Sequence, residues 1–471
     1  MSLLSRGNAV FRKGLGLGLS RLHSFIHNLK NGIMQGIHLF GQALGLLPRA
    51  VFDDLVAKHQ GDKGSKGIAC WDVLRTMLFA QLSGTDSLRE ISQGMQTHHG
   101  KLCHMGQSWI PNHSSLSYTL GHRPWEIFAE FYLALVGKAR AECVGRRVVA
   151  GLSAGVFSID ATSIDLCLSL FPWAKFRTRK GAVKIHTVLE NTSSLPVFAQ
   201  VTDGKCSDVR GLHETILPDF PLPPGSVVAL DRGYCDYTLW HNWTRQGVWF
   251  VSRMKDTSGW RRVLERDVPA IGSEEAMGAE IRRDLEIELC TKFGHKKCPD
   301  RLRLVTVWDE KTKREFEFVT NNLEFTAGQV AAIYRDRWQI ELLFKKIKQN
   351  LQIKSFVGTS ANAVKIQIYS ALSAVLLTEI LRAKARKQLA ILRQEREAMA
   401  EAADDVFRTA IREAKASLAY SNFIALLRLS LFAYRDLTEW LANPFGPPKA
   451  PETPSGLGPL FGQHPIEAVA V

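Results

Sequence analysis

Within the stretch YRDRWQIELLFKKIKQN, Tyr334, Arg337, Glu341 and Lys348 carry a phenol, a guanidinium, a carboxylate and an ammonium. On a helix turning about 100° per residue they fall within about 60° of one another. A solvated helix face usually scatters its charges or pairs them at i, i+4. This stripe therefore reads as a face built for a ligand, with an ordinary charged amphipathic face as the plainer reading. Ile340, Leu343 and Ile347 form an apolar face elsewhere, and Trp338 and Phe344 border the polar stripe. Two further acids stand where strands are expected to end: Asp160 closes VFSID, and Asp231 closes SVVALD ahead of the turn RGY. An acid there is aimed by the strand before it, although Asp after a strand also serves as a simple turn former.

Three carboxylates brought together repel unless a cation sits among them. Mg²⁺ takes oxygen ligands and keeps several waters. Two such ions about 4 Å apart can activate a water or a 3′-hydroxyl and stabilise the leaving oxygen of a phosphodiester. Asp160, Asp231 and Glu341 are thus the candidate catalytic residues and metal ligands, for two Mg²⁺ with Mn²⁺ as a substitute. Arg337 would hold a phosphate by a bidentate fork and Lys348 as a point charge. Tyr334 would contact a phosphate through its hydroxyl or stack on a base.

Positioning such residues takes a sheet and a long helix. Short β-branched or apolar runs bounded by Gly, Pro and Asp (GVFSID, VKIHTVLE, PVFAQVTD, SVVALD, VWFVSRM) read as strands from about residue 151. A polar, basic, strand-prone stretch at about 255–320, containing Trp260 and Trp308, reads as an insertion. No proline lies between Pro299 and Pro444, which permits long helices there. Residues 34–150 read as mainly helical: Leu74, Met77, Leu78 and Leu82 recur at helical spacing, and Ser87 stands three before Glu90 as in a capping box. The two helices around SGTD are either a helix-turn-helix or a plain helical pair. Residues 386–442 read as charged helix, and 443–471 as a Pro/Gly-rich disordered tail. Residues 1–33, with five bases and no acid, read as a basic extension, with Met34 as an alternative start.

The balance of 60 Lys+Arg against 46 Asp+Glu gives a net charge of +14, which attracts polyanions. Nucleic acid leads, acidic membrane follows, and a basic protein without a polyanionic partner is the bland reading. The apolar run Ser370 to Leu381 is broken by Thr378 and Glu379 and falls short of the about 20 residues of a span, so no membrane role is expected. Eight scattered cysteines argue for reduced thiols in a cytosolic protein. Cys290, His295 and Cys298 form at most a partial zinc set, since a fourth ligand is missing.

The spacing YxxRxxxExxxxxxK, the DRGY of Asp231 to Tyr234, and SIDATSIDLC around the first acid together resemble the DDE transposases of bacterial insertion sequences, in their YREK subgroup, the insertion-sequence-four family. Asp160 aligns better than the nearby Asp165. FAQLSGTDSLREI and HRPWEIFAEF are similar to the small N-terminal domain of such proteins, so the resemblance covers roughly 34–385. The resemblance implies an α/β fold: an RNase H-like catalytic core, a mixed sheet with helices, over 151–385, carrying the β-rich insertion and preceded by a helical N-terminal DNA-binding domain. It implies binding of double-stranded DNA, both transposon ends and target, by a homodimer in the bacterial cytoplasm at the nucleoid. The reaction implied is Mg²⁺-dependent cut-and-paste transposition through a hairpin intermediate. Trp260 and Trp308 become candidates to accept a flipped base, with core packing as the plainer role. Lys184, His186, Arg253 and Lys255 become candidate DNA contacts, with solvated basic residues as the alternative. Two other functions fit the residues: a nuclease or resolvase that cuts without joining, and a DNA-binding repressor left by an inactivated element.

Overall fold

The computed structural model describes residues 37–105, 110–143, 155–177, 180–351, 356–399 and 418–445. The basic extension 1–33 and the tail beyond 445 lie outside them.

Ten strands among the described residues make one mixed sheet: β1 Val156–Leu166, β2 Lys175–Arg177, β3 Lys180–Glu190, β4 Leu195–Asp203, β5 Val227–Leu230, β6 Trp249–Arg253, β7 Trp260–Glu265, β8 Glu280–Leu289, β9 Leu302–Asp309 and β10 Arg314–Thr320. β1, β3 and β4 are antiparallel neighbours, then β5 joins β1 and β6 joins β5 in parallel. β10, β9, β8 and β7 follow β6 in that order, all antiparallel. The strands of the stretch 255–320 therefore form no sheet of their own; they extend the central sheet outward from β6.

Side chains alternate across a pleated strand, and the two cores obey that period. Val156, Val227, Ala229 and Val251 pack on one face beneath helix α1, Ala327–Asp336. Phe157, Ile159, Val228, Leu230 and Phe250 pack on the other, in the core shared with most of the remaining helices. Gly328 lets α1 approach closely, because a side chain there would begin 2.1 Å from the Glu275 carbonyl oxygen.

The expected single helix through Tyr334 to Asn350 is corrected. α1 ends at Asp336, and a second helix, α2, spans Trp338–Asn350, with Arg337 at the joint. The Arg337 amide donates to the Tyr334 carbonyl and the Ile340 amide to the Arg337 carbonyl, both at 3.1 Å, so the ladder tightens by one residue there. The Asp336 carbonyl is bonded from outside the helix, by Asn191 Nδ2 at 3.0 Å. Asn191 also donates to the Asp336 carboxylate at 2.9 Å and accepts from the Ser158 hydroxyl of β1 at 2.8 Å. One buried amide thus ties the joint to the sheet.

The N-terminal segment is helical. Ser87 accepts from the Glu90 amide, while Glu90 accepts from Asp86 rather than closing the box onto Ser87. A helix of 39 residues, Ala361–Met399, runs through the apolar run. It is long and apolar enough to cross a membrane, but 94% of its most apolar window is buried inside the protein, so it is a core helix. Beyond it, Tyr420–Ser430 and Leu437–Ala442 return to the N-terminal helices: Arg428 Nε donates to the Leu82 carbonyl at 3.0 Å, and the Leu437 amide to Gln42 at 2.8 Å.

Asn191→Ala leaves Ser158 and the Asp336 carbonyl without their shared partner. It is expected to lower stability by about 1–3 kcal/mol, measured by urea unfolding.

Candidate active site

Asp160 lies within β1 rather than at its end, because the strand continues to Leu166. The parallel register pairs Ile159 with Leu230, the last residue of β5. Asp160 and Asp231 are therefore the next two positions outward, side by side and on the face of Val156, Val227 and Ala229. Asp165, five residues on, points to the opposite face by the same pleat and is exposed, so it is not part of this pair. Beyond β5, Asp231 caps the short turn Arg232–Tyr234, its Oδ1 accepting from the Gly233 amide.

Arg337 faces this pair from the helix joint. Its Nη2 donates to Glu341 Oε1 at 2.5 Å, and its Nη1 is 3.6 Å from Asp160 Oδ2, with the guanidinium side chain only 11% exposed. Asp160 Oδ1 accepts from the Ala161 amide at 2.8 Å. Burial first, with Asp231 and Asp208 adding repulsion, pushes the Asp160 carboxyl up to about 6, against the opposing pull of the Ala161 amide and Arg337. Burial and the same acids hold the Tyr234 phenol well above its usual range, and its hydroxyl has no partner among the described residues.

No three His, Cys, Asp or Glu among the described residues form a set that could hold one metal ion. The three acids are instead divided: Asp160 and Asp231 adjoin, and Arg337 bridges Asp160 to Glu341. The neighbouring pair offers hard oxygen donors and excess negative charge, which is the chemistry a divalent cation with several retained waters requires. Cys290 is exposed, and buried Cys298 donates to Asp300, so the partial zinc set is not assembled either.

Tyr334 lies in the last turn of the first helix and stays beside Arg337. Its ring stacks on Phe318 with centroids 4.3 Å apart, and the Arg337 guanidinium lies 5.5 Å from the ring. Of the residues expected to border the stripe, Phe344 is buried and Trp338 is 58% exposed. Lys348 is half-buried two turns beyond Glu341.

His186 is corrected as a DNA contact. It is fully buried and bonded to Thr202, and Gly211 crosses its ring so closely that a Cβ would overlap it. Burial, with Lys184 nearby, lowers its imidazole to about 4. Lys184 is largely buried and pairs with Asp208 at 2.9 Å. Arg253 lies 4.6 Å from the Phe316 ring, and Lys255 reaches the Cys235 carbonyl at 3.5 Å. Trp260 packs against the core, while Trp308 donates to Glu310 at 2.9 Å. The two tryptophans pair with opposite ends of β8, Leu289 and Glu280, about 30 Å apart. They cannot serve one position.

Sequence reasoning missed Asp208, which opens a helical turn capped by Ser207 and whose charge reaches Asp160. The cap motif SDV was its only signal. It also missed Asn191, because nothing local marks a residue whose partners are Ser158 and Asp336.

Residues 152–377 match the transposase DDE domain family, and residues 35–108 match a domain of unknown function, DUF4372. A protein of Sinorhizobium fredii named as a putative transposase, y4zB, is 32% identical over 60% of this chain and 75% of its own length. A protein of Geobacillus stearothermophilus named as the probable transposase of an insertion sequence element is 26% identical over 49% of this chain and 57% of its own. Among solved structures, a piggyBac transposase synaptic complex with hairpin DNA aligns over 89% of this chain and 86% of its own at 10% identity, with a TM-score of 0.38.

The raised carboxyl of Asp160 carries a pH signature. The folded chain holds that proton more tightly than the unfolded chain, so the contribution is fully present below the ordinary carboxylate value and is lost as pH rises through about 6. In chelator, urea unfolding from about pH 4 to about pH 8 is expected to show wild-type stability falling relative to Asp160→Asn. Parallel curves would contradict the assignment.

Proposed function

This chain belongs to the DDE transposases of insertion sequences, and we propose that Asp160, Asp231 and Glu341 are its three acids and that it falls in the YREK subgroup, with Tyr334, Arg337 and Lys348 completing the signature. The observation that carries the assignment is the pairing of Asp160 with Asp231 on neighbouring parallel strands, faced by Arg337 and Glu341. An RNase H-like core is supported by the strand order β4-β3-β1-β5-β6, three antiparallel strands followed by two parallel ones.

DDE transposase domains use divalent metal ions, and Mg²⁺, with Mn²⁺ as a substitute, suits this oxygen donor set. Asp160 and Asp231 would hold it together with Glu341. When bound, such ions activate the attacking oxygen and stabilise the leaving one. Arg337 supplies the positive charge that lets Asp160 and Glu341 lie near each other. Exchanging that contact for a DNA phosphate, through its bidentate fork, would hand Glu341 to the acid pair. Lys348 would hold a phosphate further along the same helix, and Lys184 and Arg253 on the sheet and Lys255 just past β6 are candidate contacts. Trp260 and Trp308 lie too far apart to share a flipped base, so at most one of them accepts it.

The reaction proposed is cutting at the element's ends and joining of the 3′-hydroxyl to target DNA, through a hairpin, by a homodimer acting on the nucleoid in the bacterial cytoplasm. A nuclease or resolvase would cut and not join. A repressor would do neither.

Supplied with Mg²⁺ and an end duplex carrying a pre-cut 3′-hydroxyl, the wild type is expected to give joined product. Asp160→Asn, Asp231→Asn and Glu341→Gln are each expected to fall to background while still binding the duplex. Joining retained by any one of them removes that residue from the set. Lys348→Ala is expected instead to weaken end binding and reduce the slope of log K against log salt by about 0.9.

A further inference from the structure

We propose that Asp208 is a fourth acid of this site, a positioning residue that holds, through water, the divalent ion assigned to Asp160 and Asp231, with the Tyr234 hydroxyl as its partner in that outer layer. The inference rests on the reading of that acid pair as the ion site, and it extends the site to two residues outside the three-acid set.

Asp208 opens the helical turn Asp208–Gly211, in the connection from β4 to β5. Its carboxylate is not spent on capping that turn, because the Ser207 hydroxyl already accepts from the Arg210 amide at 3.2 Å. One oxygen, Oδ1, accepts from Lys184 of β3 at 2.9 Å, which fixes the carboxylate to the sheet. The other, Oδ2, has no hydrogen-bond partner among the described residues, and the side chain is 42% exposed, so that oxygen is open to water. It lies toward Gly233, in the turn that follows Asp231. A Cβ at Gly233 would stand 3.0 Å from Asp231 Oδ1 and 3.9 Å from Asp208 Oδ2, so carboxylates from two separate segments border one spot that glycine leaves clear.

Tyr234 gives the second, independent sign. Its side chain is 2% exposed, yet its hydroxyl has no hydrogen-bond partner among the described residues. Leaving a buried hydroxyl unpaired costs about 1–3 kcal/mol. Asp160, Asp208 and Asp231 all act on that phenol electrostatically, which places the hydroxyl among the three of them. A phenol so placed is a donor for water held between carboxylates.

No three acids among the described residues converge closely enough to bind one ion directly. Asp208 therefore stands outside the inner ligands. Mg²⁺ keeps several of its waters, and a carboxylate one water away still supplies charge and orients that water. Asp208 also adds its repulsion to Asp160. Carboxylates gathered in this way are relieved when a cation enters. The plainer role for Asp208 is to neutralise Lys184, whose side chain is only 13% exposed. That role alone predicts lower stability and unchanged ion binding, which separates the two.

The test is a titration of the full chain with Mn²⁺ in the absence of DNA, reading free Mn²⁺ by its paramagnetic resonance signal. Asp208→Asn is expected to raise the Kd for Mn²⁺ by about tenfold or more. Asp208→Asn combined with Lys184→Met removes both members of the pair, so no buried charge is left alone, and is expected to show the same loss. Tyr234→Phe is expected to weaken binding less, because it removes a hydrogen bond and no charge. Glu214→Gln, in the same helical segment and paired with Arg210, is expected to bind as the wild type does. Thermal melting in chelator shows that each variant folds. Wild-type affinity in both Asp208 variants, or an equal loss in Glu214→Gln, overturns the proposal. A wild type that binds no more Mn²⁺ than Asp231→Asn overturns instead the reading of the acid pair beneath it.

Discussion

Two like charges on adjacent strands set the terms for this structure. Asp160 and Asp231 are neighbours because β1 and β5 are parallel and in register, and no side-chain rearrangement can move them far apart. Burial, with their repulsion added, is why the Asp160 carboxyl holds its proton to about 6. Everything around them compensates that charge or keeps it in place. The Ala161 and Gly233 amides each hold one of the two carboxylates by a hydrogen bond, and Arg337 contributes a cation facing Asp160. Arg337 is itself aimed by a helix break that Asn191 and Ser158 tie to the same strand that carries Asp160.

This arrangement gives Arg337 a role that a helix projection could not show. A guanidinium between Asp160 and Glu341 lets the two carboxylates lie near each other. In the proposed reaction the same group would turn to phosphate, leaving Asp160 and Glu341 to hold a divalent ion with Asp231.

Much of this is legible in the sequence. Strands bearing Asp160 and Asp231 follow from alternation and turn residues, and the stripe Arg337, Glu341 and Lys348 follows from helical spacing. What fails does so for tertiary reasons. The helix breaks at Arg337, and no proline or glycine marks a break held by a distant Asn191. His186 reads as a surface base on an alternating strand, but Gly211 packs directly over its ring. The sheet edge that the strands of 255–320 join is not legible, because sequence does not tell which edge a strand pairs with. Thr378 and Glu379 interrupt the apolar run Ser370 to Leu381 in sequence, yet inside the protein Thr378 bonds its own helix and Glu379 meets Lys346 and Arg382.

Bringing carboxylates together in this way serves the reaction only if they act through a metal ion at the reacting phosphate. Replacing a non-bridging oxygen of the scissile phosphate with sulfur probes that contact itself, because sulfur binds Mg²⁺ poorly and the softer Mn²⁺ better. One of the two phosphorothioate isomers is expected to block joining in Mg²⁺, and Mn²⁺ is expected to restore it. Equal joining of both isomers in Mg²⁺, or a block that Mn²⁺ leaves in place, would contradict a metal-bound phosphate.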